Sequence, residues 1–552
     1  MRGRVPGWLF ALSLLLLQRP QAGGDPPALL YTIGVVPGDS VALTVELRVA
    51  ENSAGPIRLR LPSEWAGQTG LERAVMGLRA VTPGDRLIDT DTAWVKILNH
   101  VGGALAVIRY ELRQDWTGPI QSPAYHRAIV QRDWALLVGE NALVLPEERA
   151  REIRTVTLDF TYLPAGWNVG TSFGAGERRQ RVRASADQLR NSEIVLGQWR
   201  ARDVKVSGKP IHVFQHGRQA FSDAAFDSVL ASVVGSERAF WHARAPEDYL
   251  VSVMPTRGGE HGGTRLEGAF MVAIDSTAPM DQRTVRLLAH ELFHEWNGGL
   301  LQAVPGTQDH LKWFSEGVTD FYAWEIAHRS KAISDSVYAA GVNDLLREHG
   351  TSTWRDSATA SLERNYWLNS DAKLEFYHRG NLFALRADRA LRDASHGRKS
   401  MDNVMRRLAA DSSRSALSDS VIAAAFLAEG LPDAGSWIAE MLGGGPLRLG
   451  PESLGKCFIG DWYSPPRFDL GFDLAATMAA KSLRGVDPRS AGYRAGLRDS
   501  MRLAGLSIYN GDASKDATVT VMAPDGSRRP ITYRPATPDG TTVLRFMPRR
   551  GC

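Results

Sequence analysis

The segment His290-Glu291-Leu292-Phe293-His294 sets two imidazoles four positions apart with a carboxylate between them. On a helix, positions i and i+4 share one face, about 6 Å apart along the axis. Their ring nitrogens can then converge on one zinc ion at about 2.0–2.1 Å. Glu291, one position after the first histidine, reaches a water on the ion rather than the ion itself. A catalytic zinc needs a third protein ligand and one open position. Glu316, in Trp313-Phe314-Ser315-Glu316-Gly317-Val318-Thr319-Asp320, lies 316 − 294 = 22 positions after His294 and starts a helix. Taken alone it reads as a solvated glutamate; beside the histidine pair it reads as the third ligand. Asp320, one turn further, is placed to accept the free ring N–H of a ligand histidine and fix its tautomer. Taken alone it is an ordinary surface carboxylate. His261 and His310 are the nearest candidates for a fourth ligand, and each reads better as a loop histidine.

These groups need two helices. Val285, Leu288, Leu292 and Trp296 form a helical stripe across Arg283–Trp296. A second helix is expected from Glu316 to about His328, and more between Ile333 and Met441. Upstream the period changes to two. Val41, Leu43, Val45, Leu47 and Val49 alternate with polar or small residues, as do Val156, Leu158, Phe160 and Tyr162. Residues 25–168 therefore read as an N-terminal β domain of sandwich type, 169–445 as a mixed and then helical domain holding the zinc motif, and 455–552 as a small β-rich module. Gly443-Gly444-Gly445-Pro446 reads as a linker before the module. The fold class is multidomain α+β.

The chain has 552 residues, 43% of them hydrophobic and 23% charged, with a formal net charge of +4 from 65 basic and 61 acidic residues. That composition excludes wholesale disorder. The basic residues are scattered without interleaved aromatics, so nucleic acid is not an expected partner. Arg2 and Arg4, the apolar run Trp8–Leu17 and the Pro20-Gln21-Ala22 site read as a signal peptide over residues 1–22. The run is far shorter than the roughly 20 residues of a membrane span. An exported protein, periplasmic or secreted, is expected, with no stable membrane span. Cys457 and Cys552 are the two cysteines. In an oxidising compartment they would close 552 − 457 = 95 positions, stabilising the module by about 4–5 kcal/mol in the chain-entropy model.

The segments HELFHEWN (His290–Asn297) and WFSEGVTDFY (Trp313–Tyr322), with Phe376-Tyr377-His378-Arg379-Gly380-Asn381-Leu382, resemble the glycyl aminopeptidase family of zinc metallopeptidases. The resemblance implies a thermolysin-like catalytic domain, one zinc ion, a peptide substrate and a C-terminal PDZ-like domain. It also implies that Tyr377 stabilises the oxyanion, a role a phenol O–H near the ion can fill. The family carries a Gly-Gly-x-Glu-His segment that helps to hold the substrate amine. Here Gly258-Gly259-Glu260-His261 and Gly262-Gly263-Thr264-Arg265 both depart from it; if the second glycine pair is the equivalent, an arginine stands at the glutamate position, and Glu260 and Glu267 are the substitutes, each reading equally well as a plain loop carboxylate. In the C-terminal module, Leu470-Gly471-Phe472 resembles the carboxylate-binding loop of PDZ domains, which implies a C-terminal peptide as a further partner. Three readings stay open: an aminopeptidase, an endopeptidase of the same fold, and a peptide-binding, chaperone-like protein with a non-catalytic zinc.

Overall fold

The computed structural model describes residues 28–36, 39–51, 53–242, 249–412, 415–509, 512–537 and 541–552. The signal-peptide reading, residues 1–22, lies outside them.

The alternating segments form a layered β unit. A six-stranded sheet runs in the order Arg179–Ala184, Arg154–Asp159, Leu29–Val36, Asp39–Val49, Ala106–Arg113, Val75–Ala80. Leu43, Val45, Leu47 and Val49 point into its core, as do Val156, Leu158 and Phe160, whereas Tyr162 is exposed beyond the strand end. The unit does not stop at 168. Asn168–Thr171 and Glu193–Gly197 pair with Trp134–Val138 in a second sheet, and Arg179–Ala184 pairs with Arg154–Asp159 in the first. The N-terminal unit therefore runs on to Gly197. Strand pairing is non-local, so a boundary drawn where the sequence pattern blurs falls too early.

Next comes a five-stranded sheet built from β1 (Arg200–Val206), β2 (Lys209–Gln215), β3 (Leu250–Thr256), β4 (His261–Leu266) and β5 (Ala269–Asp275), in the order β1-β2-β3-β5-β4. β3 is almost wholly buried and β5 wholly so. One face packs on the N-terminal unit through Trp134, Val195, Phe214, Met254 and Met271. The other packs on helices α1 (Asp223–Trp241) and α2 (Gln282–Phe293), with Phe226, Val233, Phe270, Val272, Leu288 and Leu292 in one core. β4 is the edge strand. Asp281 caps α2 by accepting the Arg283 and Thr284 amides.

The helical half that follows includes α3 (Thr319–Arg329), α4 (Asp335–Thr351), α5 (Thr359–Asn365) and α6 (Ser370–Ala394). A π-helical turn, Trp313–Val318, leads into α3. α6 crosses that turn at very short range. A Cβ on Gly380 would stand 1.7 Å from the Trp313 carbonyl oxygen, and one on Gly317 would stand 2.5 Å from the Gly380 Cα. Glycine at both positions permits the crossing that brings the middle of α6 against Glu316. The Gly443–Pro446 stretch is no free tether, since Gly444 packs against the Asp356 carbonyl.

The C-terminal module has its own core of Leu470, Leu483, Val486, Leu497, Val519, Ile531 and Tyr533. Its flanking ribbon, Phe458–Tyr463 paired with Val543–Pro548, belongs instead to the helical core through Phe458, Leu544 and Phe546. Asn343 of α4 exchanges two hydrogen bonds with the Phe546 backbone. Cys457 and Cys552 are disulfide-bonded at the ribbon's open end, with a Cα–Cα distance of 5.4 Å. After Leu470-Gly471-Phe472 the chain forms a helix, Leu474–Ala480, where peptide addition would require an edge strand. The Gly471 amide donates to Asp469 within its own loop. No helix among the described residues is long and apolar enough to cross a membrane.

Candidate active site

His290 and Glu291 lie in the last turn of α2, and His294 is its C-cap. Nε2 of His290 and Nε2 of His294 are 3.0 Å apart, and each is 3.4 Å from Oε2 of Glu316. Among the described residues this is the only group of three that could hold a metal. Four ligands arranged tetrahedrally at about 2.0–2.1 Å from zinc stand about 3.3 Å from one another. The triangle of 3.0, 3.4 and 3.4 Å matches that spacing, and the two-imidazole, one-carboxylate donor set suits zinc.

The electrostatics fit a shared site. Burial raises the Glu316 carboxyl, but His294 and His290 outweigh it and hold the group well below the usual carboxylate range. Burial lowers His294, but Glu316 raises it to about 9. Nδ1 of His294 is 3.0 Å from the Asn297 carbonyl oxygen. That acceptor keeps the proton on Nδ1 and leaves Nε2 free as a ligand. Asn297 is fully buried, and its side-chain amide donates to the Phe314 carbonyl and the Thr319 hydroxyl, each at 3.0 Å. One residue thus ties the end of α2 to the turn that carries Glu316.

Glu291 is buried between the histidines and β4. Burial raises its carboxyl, and the two histidines only partly offset this. The nearby Arg265 backbone also lowers it slightly. Gly263 lies so close that a Cβ there would stand 2.6 Å from the Glu291 Cγ. Tyr377, on α6, stacks on His290 with 5.8 Å between ring centroids. Burial, Glu316 and hydrogen bonds to Glu316 and Tyr366 hold its phenol well above the ordinary value. It therefore carries its proton at neutral pH.

Other residues singled out from the sequence fall elsewhere. Asp320 is buried, but its carboxylate stands 3.8 Å from Nδ1 of His290, beyond hydrogen-bond range. Its oxygens are taken by Arg286 Nε at 2.6 Å and Asn381 at 3.0 Å. Glu260 accepts the Ser122 amide of the N-terminal unit, and Glu267 accepts Gln188 Nε2 at 3.1 Å. Neither joins the ligand group. Arg265 pairs with Glu295 at 3.2 Å. His310 bridges Glu363 at 3.0 Å and Asp419 at 2.7 Å, and His261 faces the Gly259 carbonyl. The sequence alone assigns no role to Asn297, Arg286, Asn381 or Tyr366. Arg286 sits at i−4 from His290, and that spacing was the available signal.

Residues 283–383 match the family model of the M61 glycyl aminopeptidases. No curated protein matches the chain. Among solved structures, an aminopeptidase N family protein from Idiomarina loihiensis superposes with a TM-score of 0.73 at 16% identity, over 94% of this chain and 97% of its own. An M1 zinc metallopeptidase from Deinococcus radiodurans gives a TM-score of 0.48 at 16% identity, over 77% of this chain and 94% of its own. The first likeness extends the shared architecture across nearly the whole chain. The matched segment, 101 of the 552 residues, holds both histidines, Glu291, Glu316 and Tyr377, and over it the chain is similar to the M61 glycyl aminopeptidases, which supports a peptidase of aminopeptidase type.

Proposed function

We propose that the protein hydrolyses peptide bonds and releases residues from peptide N-termini, with His290, His294 and Glu316 as zinc ligands. The observation that carries this reading is the gathering of Glu291 and Tyr377 around a ligand triangle of tetrahedral spacing. When bound, zinc supplies Lewis-acid polarisation of the scissile carbonyl and acidifies water. Glu291 takes a proton from the attacking water as its oxygen bonds to the carbonyl carbon, then returns it to the leaving nitrogen as the C–N bond breaks. Tyr377 donates its O–H to the oxyanion. Edge strand β4 offers backbone groups along which an extended substrate adds as one more strand. Asn297 orients His294 and ties the end of α2 to the turn that carries Glu316.

A second reading is internal cleavage. It is favoured by the Arg265–Glu295 pair and by the engagement of Glu260 and Glu267 with the N-terminal unit, which leave no unpaired acid on β4 for a substrate amine. One experiment separates the readings: a mixed peptide library digested by the mature protein and by Glu291→Gln, with zinc content measured in both. Single residues lost from N-termini in the wild type alone support the aminopeptidase, and internal cuts support the second reading. Undiminished cleavage by Glu291→Gln overturns the assigned base. Zinc without cleavage in either protein moves the protein to peptide binding.

A further inference from the structure

Lys373 lies on α6, one helical turn before Tyr377, so the two share a face. It makes no ion pair among the described residues. Its Nζ instead stands 5.5 Å from the ring centroids of both Tyr366 and Trp367. A second cation, Lys312, lies over the same Tyr366 ring at 4.5 Å but is neutralised by Asp309.

The position costs stability. The first turn of a helix carries the positive end of its dipole and favours acids. α6 is 25 residues long and already holds Asp371 in that turn, yet Lys373 sits beside it. Lys373 is thus a cation without a carboxylate partner among the described residues, held over two aromatic rings.

Residues of the N-terminal unit lie close to this stretch of α6 and the turn before it. The hairpin of Glu64–Trp65 and Gln68–Thr69 closes down on Trp367, since a Cβ on Gly67 would stand 2.6 Å from that indole. Trp65 meets His126 edge-on at 5.2 Å, and His126 Nε2 is 3.3 Å from the Thr264 hydroxyl of β4. Burial, and then the charge of Lys373, lower His126 to about 4. His126 is therefore neutral, and Lys373 is the uncompensated charge between β4 and α6.

We propose that Lys373 selects substrates by binding a carboxylate that reaches from the scissile bond, past Tyr377, to the Lys373 ammonium beside Tyr366 and Trp367. This rests on the peptidase reading above and narrows it to substrates bearing an anion at that position. The carboxylate has two sources, an Asp or Glu side chain or the free C-terminus of a short peptide.

The test is a set of matched peptides. One series is C-terminally amidated and carries Asp, Asn or Lys at each position in turn; the other is neutral and ends in either a free carboxylate or an amide. In the wild type, one Asp peptide, or the free-carboxylate peptide, is expected to exceed its neutral counterpart about tenfold in kcat/KM, as a charge-assisted bond implies. Which series shows the effect identifies the source. Lys373→Met keeps the apolar stem and is expected to bring the ratio near one, while Lys373→Glu shifts preference to the Lys peptide. Calorimetric Kd values on the Glu291→Gln protein read the same ratios without turnover, so absence of cleavage counts against the peptidase reading and not against this one. Equal Kd and equal kcat/KM across both series in the wild type overturns the inference. So does an acid preference that survives in Lys373→Met.

Discussion

Gly263→Ala is the sharpest perturbation of the geometry around Glu291. Gly263 is on edge strand β4 outside the left-handed region, so alanine meets no backbone strain. Its new methyl carbon would stand 2.6 Å from Cγ, 2.7 Å from Cδ and 2.7 Å from Oε1 of Glu291. Restoring ordinary contact at 3.4 Å requires a movement of 3.4 − 2.6 = 0.8 Å. The atoms in the way belong to one side chain, so Glu291 moves and the strand stays. A displacement near 1 Å at a reacting group can cost about a hundredfold. We therefore expect kcat/KM to fall about a hundredfold, zinc content to hold because no ligand is touched, and the melting temperature to change little. Gly166→Ala is the control, an exposed glycine with nothing within 4 Å of the added carbon. It should match the wild type throughout. Full activity in Gly263→Ala, with normal zinc and fold, would refute the claim that Glu291 works from the position pressed against β4.

Two further outcomes follow from the same coordinates. Tyr377→Phe should cost about 10²–10³ in kcat, the range for one oxyanion donor. Tyr366→Phe should cost less, and the double variant no more than Tyr377→Phe alone, because Tyr366 acts through Tyr377; additive losses would contradict that order. Glu193 is fully buried, accepts the Ser252 hydroxyl through one oxygen and leaves the other unpartnered. Burial raises it from 4.5 to about 8. The folded state then holds a proton that the unfolded chain has lost, so stability falls as pH rises from about 4.5 to about 8 and levels off above. Glu193→Gln should flatten that part of the melting-temperature profile, by up to about 4 kcal/mol at pH 8; an unchanged slope would mean the carboxyl is ionised in the fold.

The parts of the site that sequence alone reveals are those fixed by local periodicity. His290, Glu291 and His294 are legible because one helix sets their spacing, and the stripe through Leu288 and Leu292 says which face is buried. Glu316 is legible because it falls in the next helical stretch at a workable distance, although that stretch begins as the π-helical turn Trp313–Val318 and not at Glu316 itself. Tyr377 is not legible by itself; it lies 61 positions after Glu316 (377 − 316), and only the Gly317–Gly380 contact brings it back. Glu260 and Glu267 fail for a related reason. They flank the correct strand, but the residues of the N-terminal unit that engage them, Ser122 and Gln188, come from over 70 positions away. Asp320 falls on the expected side, yet Arg286 and Asn381, on two other helices, decide what it bonds. The helix at Leu474–Ala480 is a tertiary choice that the apolar Leu470-Gly471-Phe472 pattern does not encode.

Asn297 explains how the two ligand elements stay in register across a long interval. Between His294 and Glu316 the chain leaves α2, passes Gly298 at φ 130° and wanders to Leu311. Left to itself such a loop would let Glu316 drift relative to the histidines. Asn297 grips both ends: its carbonyl holds His294, and its amide holds the Phe314 carbonyl and Thr319. The intervening residues are then released from ligand positioning. They instead wall a cavity of about 670 Å³ beside the site, where Gly298, Leu301, Gln302 and Ser315 face Arg151 and Asp187 of the N-terminal unit. On the opposite side the Gly317–Gly380 crossing fixes Tyr377, while the turn before α6 carries Trp367. Rigid contacts set the chemistry near the ligand triangle, and the segments they release face whatever occupies the cleft.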